Sequence, residues 1–213
     1  LLAASYYFYM SWNPAYIILI ILSTVVDYLA GLKMGSTDDK SKRKKYLFAS
    51  LFINLGMLFF FKYYNFFSDT FTYLLNEFPF MQMGNFLPTF DLLLPVGISF
   101  YTFQTLSYTI DVYRGEKEPE KHFGIFALYV SFFPQLVAGP IERSTRLLPQ
   151  FKEKYKFDYL RVTDGLKLML WGYFKKVVVA DRLAVFVNSV YNDVHGVEGI
   201  PLILATVFFA FQI

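Results

Sequence analysis

An apolar run over residues 15–32, AYIILIILSTVVDYLAGL, is the feature that most constrains how this chain can fold. It approaches the roughly 20 apolar residues with which an α-helix crosses a bilayer. Pro14 stands just before it, where proline is favoured in the first helical turn. The whole chain of 213 residues is 55% hydrophobic and 21% aromatic, which is too apolar for a typical soluble domain. The sequence therefore predicts an all-α, polytopic helical membrane protein.

The distribution of charge predicts how the spans are oriented. Residues 33–45 hold six basic side chains against two acidic ones, which places this loop in the cytoplasm by the positive-inside rule. Residues 46–66 form the next predicted span, and the loop over 67–91 has three acidic residues and no Lys or Arg, as expected of an extracytoplasmic loop. Residues 92–110 then return with many polar side chains, which predicts contact with other helices or a cavity. Residues 111–122 form a second cytoplasmic turn.

The stretch over residues 130–146, VSFFPQLVAGPIERSTR, interrupts this pattern. Pro134, Gly139 and Pro140 prevent a continuous helix. The apolar segment that contains this break, Phe123 to Gly139, is barely long enough to cross, and residues 141–161 after it are basic, like the loop before it. Two basic loops do not easily flank a full crossing, so we expect a re-entrant segment that enters from the cytoplasm and returns there.

Five polar residues in or beside apolar segments are candidates for functional roles. Gln104 and Gln135 are large amides in apolar settings, and each either makes a helix-to-helix hydrogen bond or lines a tunnel. Glu142 and Arg143 adjoin the Gly-Pro turn, where they either form a salt-bridge network or contact an anionic group such as a phosphate. Asp27, inside the first span, either pairs with a loop lysine, caps the helix, or is a buried functional carboxylate.

Several chemistries are not indicated. The chain has no Cys, which excludes disulfides and thiolate chemistry, and it has no GxGxxG, P-loop, HExxH, GxSxG or EF-hand motif. Its two histidines, His122 and His195, both fall in predicted loops and suggest no metal site without further ligands. A net charge of +3 is too small to argue for a nucleic-acid partner.

Both ends of the chain lie in apolar runs, residues 1–10 and 200–213, and each run is shorter than a full span. We therefore expect residues 1–213 to be a single membrane domain that is incomplete at both ends, an internal fragment of a longer protein. Residues 158–186 are predicted to form a helix lying partly in the membrane interface, because Lys and Asp interrupt its apolar pattern.

Five strings carry a family resemblance across most of the chain. They are WNPAYIILIILSTVVDYLAG from Trp12, LLPVGISFYTFQTLSYTIDVYRGE from Leu93, HFGIFALYVSFFPQLVAGPIER from His122, LLPQF from Leu147 and WGYFKKVVVADRLA from Trp171. Together they resemble the amino-terminal half of the membrane-bound O-acyltransferase family. Within that family the chain is most similar to the bacterial alginate and polysaccharide O-acetyltransferases.

The resemblance implies a helical membrane domain with re-entrant segments and a central tunnel that holds a catalytic histidine. That histidine belongs to the carboxyl-terminal half of the family, and neither His122 nor His195 stands in the matching context. We therefore expect no catalytic residue in this chain, which by itself should be inactive. The residues expected near the tunnel or the acyl donor are Gln104, Gln135, Gly139, Pro140, Glu142 and Arg143. Arg143 and Arg146 would meet the phosphates of coenzyme A.

The function implied is transfer of acetyl groups from a cytoplasmic thioester, acetyl-CoA or another acyl donor, to an extracytoplasmic polysaccharide. The implied setting is multi-pass in a bacterial cytoplasmic membrane, with a secreted or membrane-anchored partner protein that completes polysaccharide acetylation. Three alternatives remain open at this point: D-alanyl transfer to teichoic acid within the same family, a transporter or channel, and a non-catalytic scaffold.

Overall fold

A computed structural model describes residues 1–77, 94–137, 139–193 and 196–213, and within these ranges all regular structure is helical. Contacts divide the chain into two compact units, Leu1–Glu153 and Lys154–Ile213, which are described separately. The helices of the first unit are α1 (Leu2–Met10), α2 (Ile17–Gly35), α3 (Lys40–Lys62), α4 (Tyr64–Glu77), α5 (Ile98–Arg114), α6 (Phe123–Ser131), α7 (Phe133–Leu136) and α8 (Ser144–Lys152).

The two predicted spans correspond to α2 and α3, the two helices long and apolar enough to cross a membrane in the described part of the chain. A 3₁₀ turn, Pro14–Tyr16, leads into α2, and the side chain of Asn13 caps it by accepting the N–H of Ala15 at 3.0 Å. The first predicted span, residues 15–32, is confirmed as a helix of spanning length, and its passage through a membrane stays a prediction.

The second span differs at both ends from the predicted residues 46–66. The helix begins at Lys40, because the Asp39 carboxylate accepts the N–H of Ser41 at 2.8 Å and so caps a lysine-rich first turn. It ends at Lys62, and α4 follows after Tyr63. Most of the predicted basic loop is therefore the end of α2 and the start of α3. Of the predicted extracytoplasmic loop, residues 78–91 lie outside the described ranges.

Helix α5 also departs from its predicted bounds of 92–110. It begins at Ile98, after Pro95 and a left-handed Gly97, and continues to Arg114, into the predicted turn. The helix stops there because Gly115 adopts a left-handed conformation (φ +79°) that side chains other than glycine rarely reach.

Helices α2, α3 and α5 pack together, with α2 and α5 pointing in one direction and α3 in the other. The guanidinium of Arg43, in the first turn of α3, donates to the carbonyl oxygens of Val112 and Tyr113 at the end of α5, both at 2.8 Å. At the other end, the ring of Tyr16 contacts that of Phe61. The stretches 33–45 and 111–122 therefore lie at one end of these helices, as predicted. We call this the basic end, and the opposite end, with residues 12–16 and 95–97, the far end.

The surfaces of α2 and α3 show the polarity of membrane helices. Large apolar side chains point outward, and Phe52 is 83% exposed, while the polar Ser50 and Asn54 on the same helix are fully buried. In a soluble protein the apolar residues would be inside and the polar ones outside. Lipid reverses this preference, since hydrocarbon offers polar groups no hydrogen-bond partners.

The second unit contains α9 (Tyr159–Tyr173), a π-helical segment (Phe174–Ala180), α10 (Asp181–Tyr191) and α11 (Ile200–Gln212). Helix α10 packs on α11 through ring contacts of Phe186 with Phe208 and Tyr191 with Phe209. The predicted helix over 158–186 is confirmed as continuous helical backbone, and its place in the membrane interface stays a prediction. Lys176 forms an ion pair with Asp181 there.

Candidate functional site

The segment over residues 123–143 leaves the basic end of the first unit and comes back to it; we call it the returning segment. It starts beside α2, where the Tyr28 hydroxyl donates to the carbonyl of Lys121 at 2.6 Å. After it, the carbonyl of Ser144 accepts a hydrogen bond from Lys117 Nζ at 2.8 Å. Lys117 and Lys121 belong to the same short loop after α5. Both ends of the returning segment are thus fixed at one place.

The middle of the returning segment reaches the far end. The Leu136 carbonyl oxygen lies against Gly97 at the start of α5, so close that a Cβ on Gly97 would collide with it. Gly97 also has φ +73°, so two independent requirements select glycine here. The path is therefore outward along α5 as α6 and α7, then back as residues 139–143, which are non-helical and precede α8.

The predicted break in residues 130–146 is confirmed. Helix α6 ends at Ser131, the four-residue α7 has Pro134 in its first turn, and regular helix resumes only at Ser144. The apolar helical stretch Phe123–Leu136 is shorter than a span. The geometry is that of a re-entrant segment; its depth in a membrane stays a prediction.

Gln104 makes the helix-to-helix hydrogen bond that was one of its two predicted roles. Its Nε2 donates to the carbonyl of Tyr129 at 2.7 Å, and both residues are buried. That carbonyl is free because α6 ends at Ser131 and the Phe133 N–H turns to Ser5 Oγ at 3.4 Å. Gln104 therefore satisfies a carbonyl at a helix end.

Tyr129 connects the outgoing and incoming halves of the returning segment. Its hydroxyl oxygen lies 3.2 Å from the carbonyl oxygen of Gln104 and 3.2 Å from that of Glu142. The phenol is fully buried between them. It therefore ties residues 139–143 to α5 through main-chain groups.

Gln135 and Gly139 form the tight part of the turn. The Gly139 N–H donates to the Gln135 carbonyl at 3.1 Å, and a Cβ on Gly139 would collide with the main chain of Gln135. The side-chain oxygen of Gln135 is buried and has no hydrogen-bond partner among the described residues. An unpaired buried acceptor is costly, so this atom is the best-placed group of the returning segment to receive a donor from a ligand or another part of the protein.

Pro140, Glu142 and Arg143 line the incoming half. Pro140 and Arg143 are exposed, and Glu142 is half-buried. Within the described ranges neither Glu142 nor Arg143 takes part in an ion pair, so the salt-bridge network suggested for this turn is absent there. The Tyr129 hydroxyl and the Lys117 ammonium hold the turn instead, and the Arg143 side chain is left facing solvent.

Asp27 is the centre of a buried polar cluster between α2, α3 and α5. Its carboxylate accepts hydrogen bonds from Ser50, from Asn54 at 2.9 Å and from Thr109 at 3.1 Å. The residue is fully buried and has no basic partner among the described residues. The predicted lysine pair or helix cap is therefore wrong for Asp27, because neutral donors from two other helices replace both.

Two more hydroxyls extend this cluster. Ser23 donates to the side-chain oxygen of Asn54 at 2.6 Å and lies 3.5 Å from Thr105 Oγ1. Hydrogen bonds among buried polar groups hold helices together where the surrounding lipid is as apolar as the helices. The cluster thus fixes α5, and with it the path of the returning segment, against α2 and α3.

Comparison with known proteins comes from sequence, since no family model and no solved structure matches the chain. The chain is 32% identical to a peptidoglycan O-acetyltransferase of Helicobacter pylori, over 100% of its own length and 44% of that protein. It is 36% identical to probable alginate O-acetylases AlgI of Pseudomonas syringae and Pseudomonas aeruginosa, over 90% of its length and 36% of theirs.

The chain belongs to the membrane-bound O-acyltransferase family. It spans less than half the length of the curated relatives it matches. Family membership, together with the two apolar helices and their outward-facing apolar side chains, makes it a membrane-associated protein.

His122, the one histidine among the described residues, has no place in the candidate site. His122 caps α6, where its Nδ1 accepts the N–H of Ile125 at 3.2 Å. His195 lies outside the described residues. Among the residues that are described, no three His, Asp or Glu side chains are grouped as a metal site requires.

Sequence reasoning missed the members of the Asp27 cluster, although a signal was present. Each of the three helices carries two polar residues four positions apart, which places them on one helix face. The pairs are Ser23 with Asp27, Ser50 with Asn54, and Thr105 with Thr109. Tyr129 carried no such signal, because its partners are main-chain carbonyls.

Proposed function

We propose that the full-length protein is a polysaccharide O-acetyltransferase. The observation that supports this most strongly is the 32% to 36% identity, along 90% to 100% of the chain, with relatives named for O-acetylation of peptidoglycan and of alginate. These two polymers differ in their sugars, and the names share only the transferred group. Acetyl transfer to a sugar hydroxyl is therefore preferred over D-alanyl transfer to teichoic acid.

In the proposed reaction, a polysaccharide hydroxyl attacks the carbonyl carbon of an acetyl thioester. The new C–O ester bond forms, the C–S bond breaks, and a general base passes the hydroxyl proton to the leaving thiolate. Acetyl-CoA or another acyl thioester is the proposed donor. This chain is not proposed to supply the base, which the family resemblance places in the carboxyl-terminal half.

The role proposed for this chain is to build one wall of the acyl-donor path. The returning segment supplies the wall, since its incoming residues 139–143 are non-helical backbone that the buried Tyr129 hydroxyl holds through the Glu142 carbonyl, as such backbone must be held at membrane depth. Its proposed lining residues are Gln104, Gln135, Gly139, Pro140, Glu142 and Arg143. Gln104 contributes by fixing the Tyr129 carbonyl, and Gln135 by its unpaired acceptor.

The proposed setting is a multi-pass arrangement in a bacterial cytoplasmic membrane, with the basic end in the cytoplasm. The cluster of lysines and arginines at that end supports this orientation. The donor then approaches from the cytoplasm. A secreted or membrane-anchored partner protein is proposed to complete acetylation of the polymer outside.

Deletion and complementation test the proposed function. Cell-surface polysaccharide from the wild-type strain, a deletion strain and the complemented strain is treated with mild alkali, which cleaves O-esters and leaves N-acetyl groups in place. Acetate should be released from the first and third samples and be lost from the second. Alanine in place of acetate would support the D-alanyl alternative, and equal acetate in all three would contradict any role in O-acetylation.

A further inference from the structure

A pocket of about 420 Å³ opens at the basic end, beside the returning segment. Its walls are the loop Lys117–Lys121 and the residues Leu148, Pro149 and Lys152 of α8. The pocket therefore carries three lysines against two glutamates. Its volume lies in the range of small-molecule sites.

Glu120 forms a fixed wall of this pocket rather than a free negative charge. The residue is only 5% exposed, and its carboxylate pairs with Lys152 Nζ at 2.7 Å and accepts the His122 N–H at 3.0 Å. Its own N–H donates to the Tyr108 hydroxyl at 2.9 Å. Burial opposes ionisation, but the bonds from Lys152 and His122 outweigh it and lower the pKa of Glu120 below its ordinary value. The carboxylate is thus ionised and neutralised by Lys152.

Lys117 is a cation of the pocket, whose net charge is positive because Glu120 neutralises Lys152 and the exposed Glu118 offsets only one of the two remaining lysines. It is half-buried, and its ammonium donates to a neutral partner, the Ser144 carbonyl. Carboxylates of Glu120 and Asp111 act on it from nearby, yet no ion pair joins Lys117 to any described residue. Burial lowers the pKa of Lys117, which reflects the cost of holding this charge without a counter-ion. An anion in the pocket would remove that cost.

Lys121 adds a second cation on the same wall. Its side chain is exposed and forms no ion pair in the described part of the chain, while its carbonyl is fixed by Tyr28. The backbone at Lys121 is therefore held in place, and the ammonium is free to turn toward a ligand. Two ammonium groups on one short loop suit a compact anion with several oxygens.

We propose that this pocket binds a phosphate group, with Lys117 and Lys121 as its cations and the Glu120–Lys152 pair as its rigid wall. Two sources share this chemistry at the basic end: the phosphates of a soluble acyl thioester and the headgroup of an anionic lipid. The assignment to the donor rests on the proposed function. This phosphate site is separate from the donor contact proposed for Arg143, because Arg143 is not among the residues that line the pocket.

Binding of coenzyme A to the full-length protein in nanodiscs of zwitterionic lipid tests the proposal. Lys117→Gln should raise the Kd for coenzyme A about tenfold, the loss expected of one charge-assisted hydrogen bond. Lys121→Gln should raise it severalfold, and Lys117→Arg, which keeps the charge, should restore most of the affinity. The control Lys42→Gln removes an exposed lysine of the basic end that lies outside the pocket and should change nothing.

Two further arms identify the source of the phosphate. Pantetheine, which has no phosphate, should bind the variants and the wild type alike. Nanodiscs containing phosphatidate should weaken coenzyme A binding if the lipid headgroup occupies the same pocket, and this competition should disappear in Lys121→Gln. Because the Lys121 side chain is exposed and makes no ion pair with any described residue, that variant decides the matter even where Lys117→Gln fails to fold.

The inference would be overturned if neither Lys117→Gln nor Lys121→Gln changed the binding of coenzyme A or of phosphatidate. Acetyl-transfer assays on the same preparations separate it from the proposed function. If the Lys117 and Lys121 variants acetylate as fully as the wild type, only the phosphate site is contradicted. If coenzyme A binding depends on the two lysines but no acetyl transfer occurs, the phosphate site is supported and the proposed acetyltransferase function is contradicted.

Discussion

The Nζ of Lys117 lies 2.8 Å from the carbonyl oxygen of Ser144, although 27 positions separate the two residues. Between them the chain runs to the far end of α5, where the Leu136 carbonyl meets Gly97, and comes back. The contact therefore closes a loop that begins and ends at the basic end. The proposed wall of the acyl-donor path requires a segment of this kind, which leaves and returns at the end where the donor approaches.

Gly97 is expected to be the position in this path least tolerant of a side chain. Gly97→Ala combines left-handed backbone strain with a collision against the Leu136 carbonyl, so we expect a loss of about 3 kcal/mol in the free energy of unfolding. Gly115→Ala is the matched control, since Gly115 has φ +79° with open space around it, and it should cost about 1 kcal/mol. Denaturant unfolding of the detergent-solubilised protein measures both. Equal losses would show that the Leu136 contact is unimportant.

Asp27→Ala should destabilise the packing of α2, α3 and α5. It leaves the donors of Ser50, Asn54 and Thr109 without their acceptor, for which we expect a loss of about 2 kcal/mol. Asp27→Asn keeps one acceptor oxygen and should cost less.

The control for this series is Asp38→Ala, which removes an exposed carboxylate from the connection between α2 and α3. Its stability should stay within about 0.5 kcal/mol of wild type. Thermal unfolding of the three variants should rank Asp27→Ala lowest. The same midpoint for Asp27→Ala and Asp38→Ala would mean that the cluster does not hold the helices.

Glu120 should make stability depend on pH in the acid range. Its pKa is lowered in the folded protein, so its ionised form adds stability above the unfolded value near 4.5, and this contribution is lost as the pH falls through the folded value. The stability difference between wild type and Glu120→Gln should be constant from about pH 8 to 5 and shrink below 4.5. A difference that grows on acidification would contradict the pairing with Lys152.

Arg143→Ala should reduce acetylation by the full-length protein, because its exposed guanidinium is proposed to face the anionic part of the donor. The expected effect is a rise of about tenfold in the KM for the donor with little change in kcat. Arg114→Ala, another exposed arginine at the basic end, is the control. Unchanged kinetics with normal protein levels would show that Arg143 does not contact the donor and has only a structural role at the start of α8.

Those parts of the fold that depend on the length of apolar runs and on the placement of charges could be predicted from the sequence. The helix over residues 15–32 could be predicted because its apolar side chains are stable in lipid whichever helices pack against it. The start of α3 was placed too late because its first turn is lysine-rich, and only the Asp39 cap shows that helix begins there. Prolines and a glycine predicted the break near Pro134, since they act on the local backbone.

The partners of the candidate site required the fold. Gln104 was left between two roles because its partner, the Tyr129 carbonyl, becomes available only when α6 ends and Phe133 turns to Ser5. Asp27 looked like a partner for nearby lysines because neutral donors on other helices are not visible in its own segment. Long-range packing decided both. The polar pairs four positions apart mark which helix faces are polar, but they do not show which residues of the three helices bond to one another.

The central claim, that residues 123–143 leave and return on one side of the membrane, is tested most directly by labelling single introduced thiols. Residues 1–213 contain no Cys, so in a full-length protein with any Cys outside them replaced by Ser, Glu118→Cys, Thr145→Cys and Ser11→Cys each give one exposed site, the first two at the basic end and the third at the far end. With a membrane-impermeant maleimide, the Glu118→Cys and Thr145→Cys variants should react only from the cytoplasmic side and the Ser11→Cys variant only from outside. Labelling of the Glu118→Cys and Thr145→Cys variants from opposite sides would show that the segment crosses the membrane and would contradict the account.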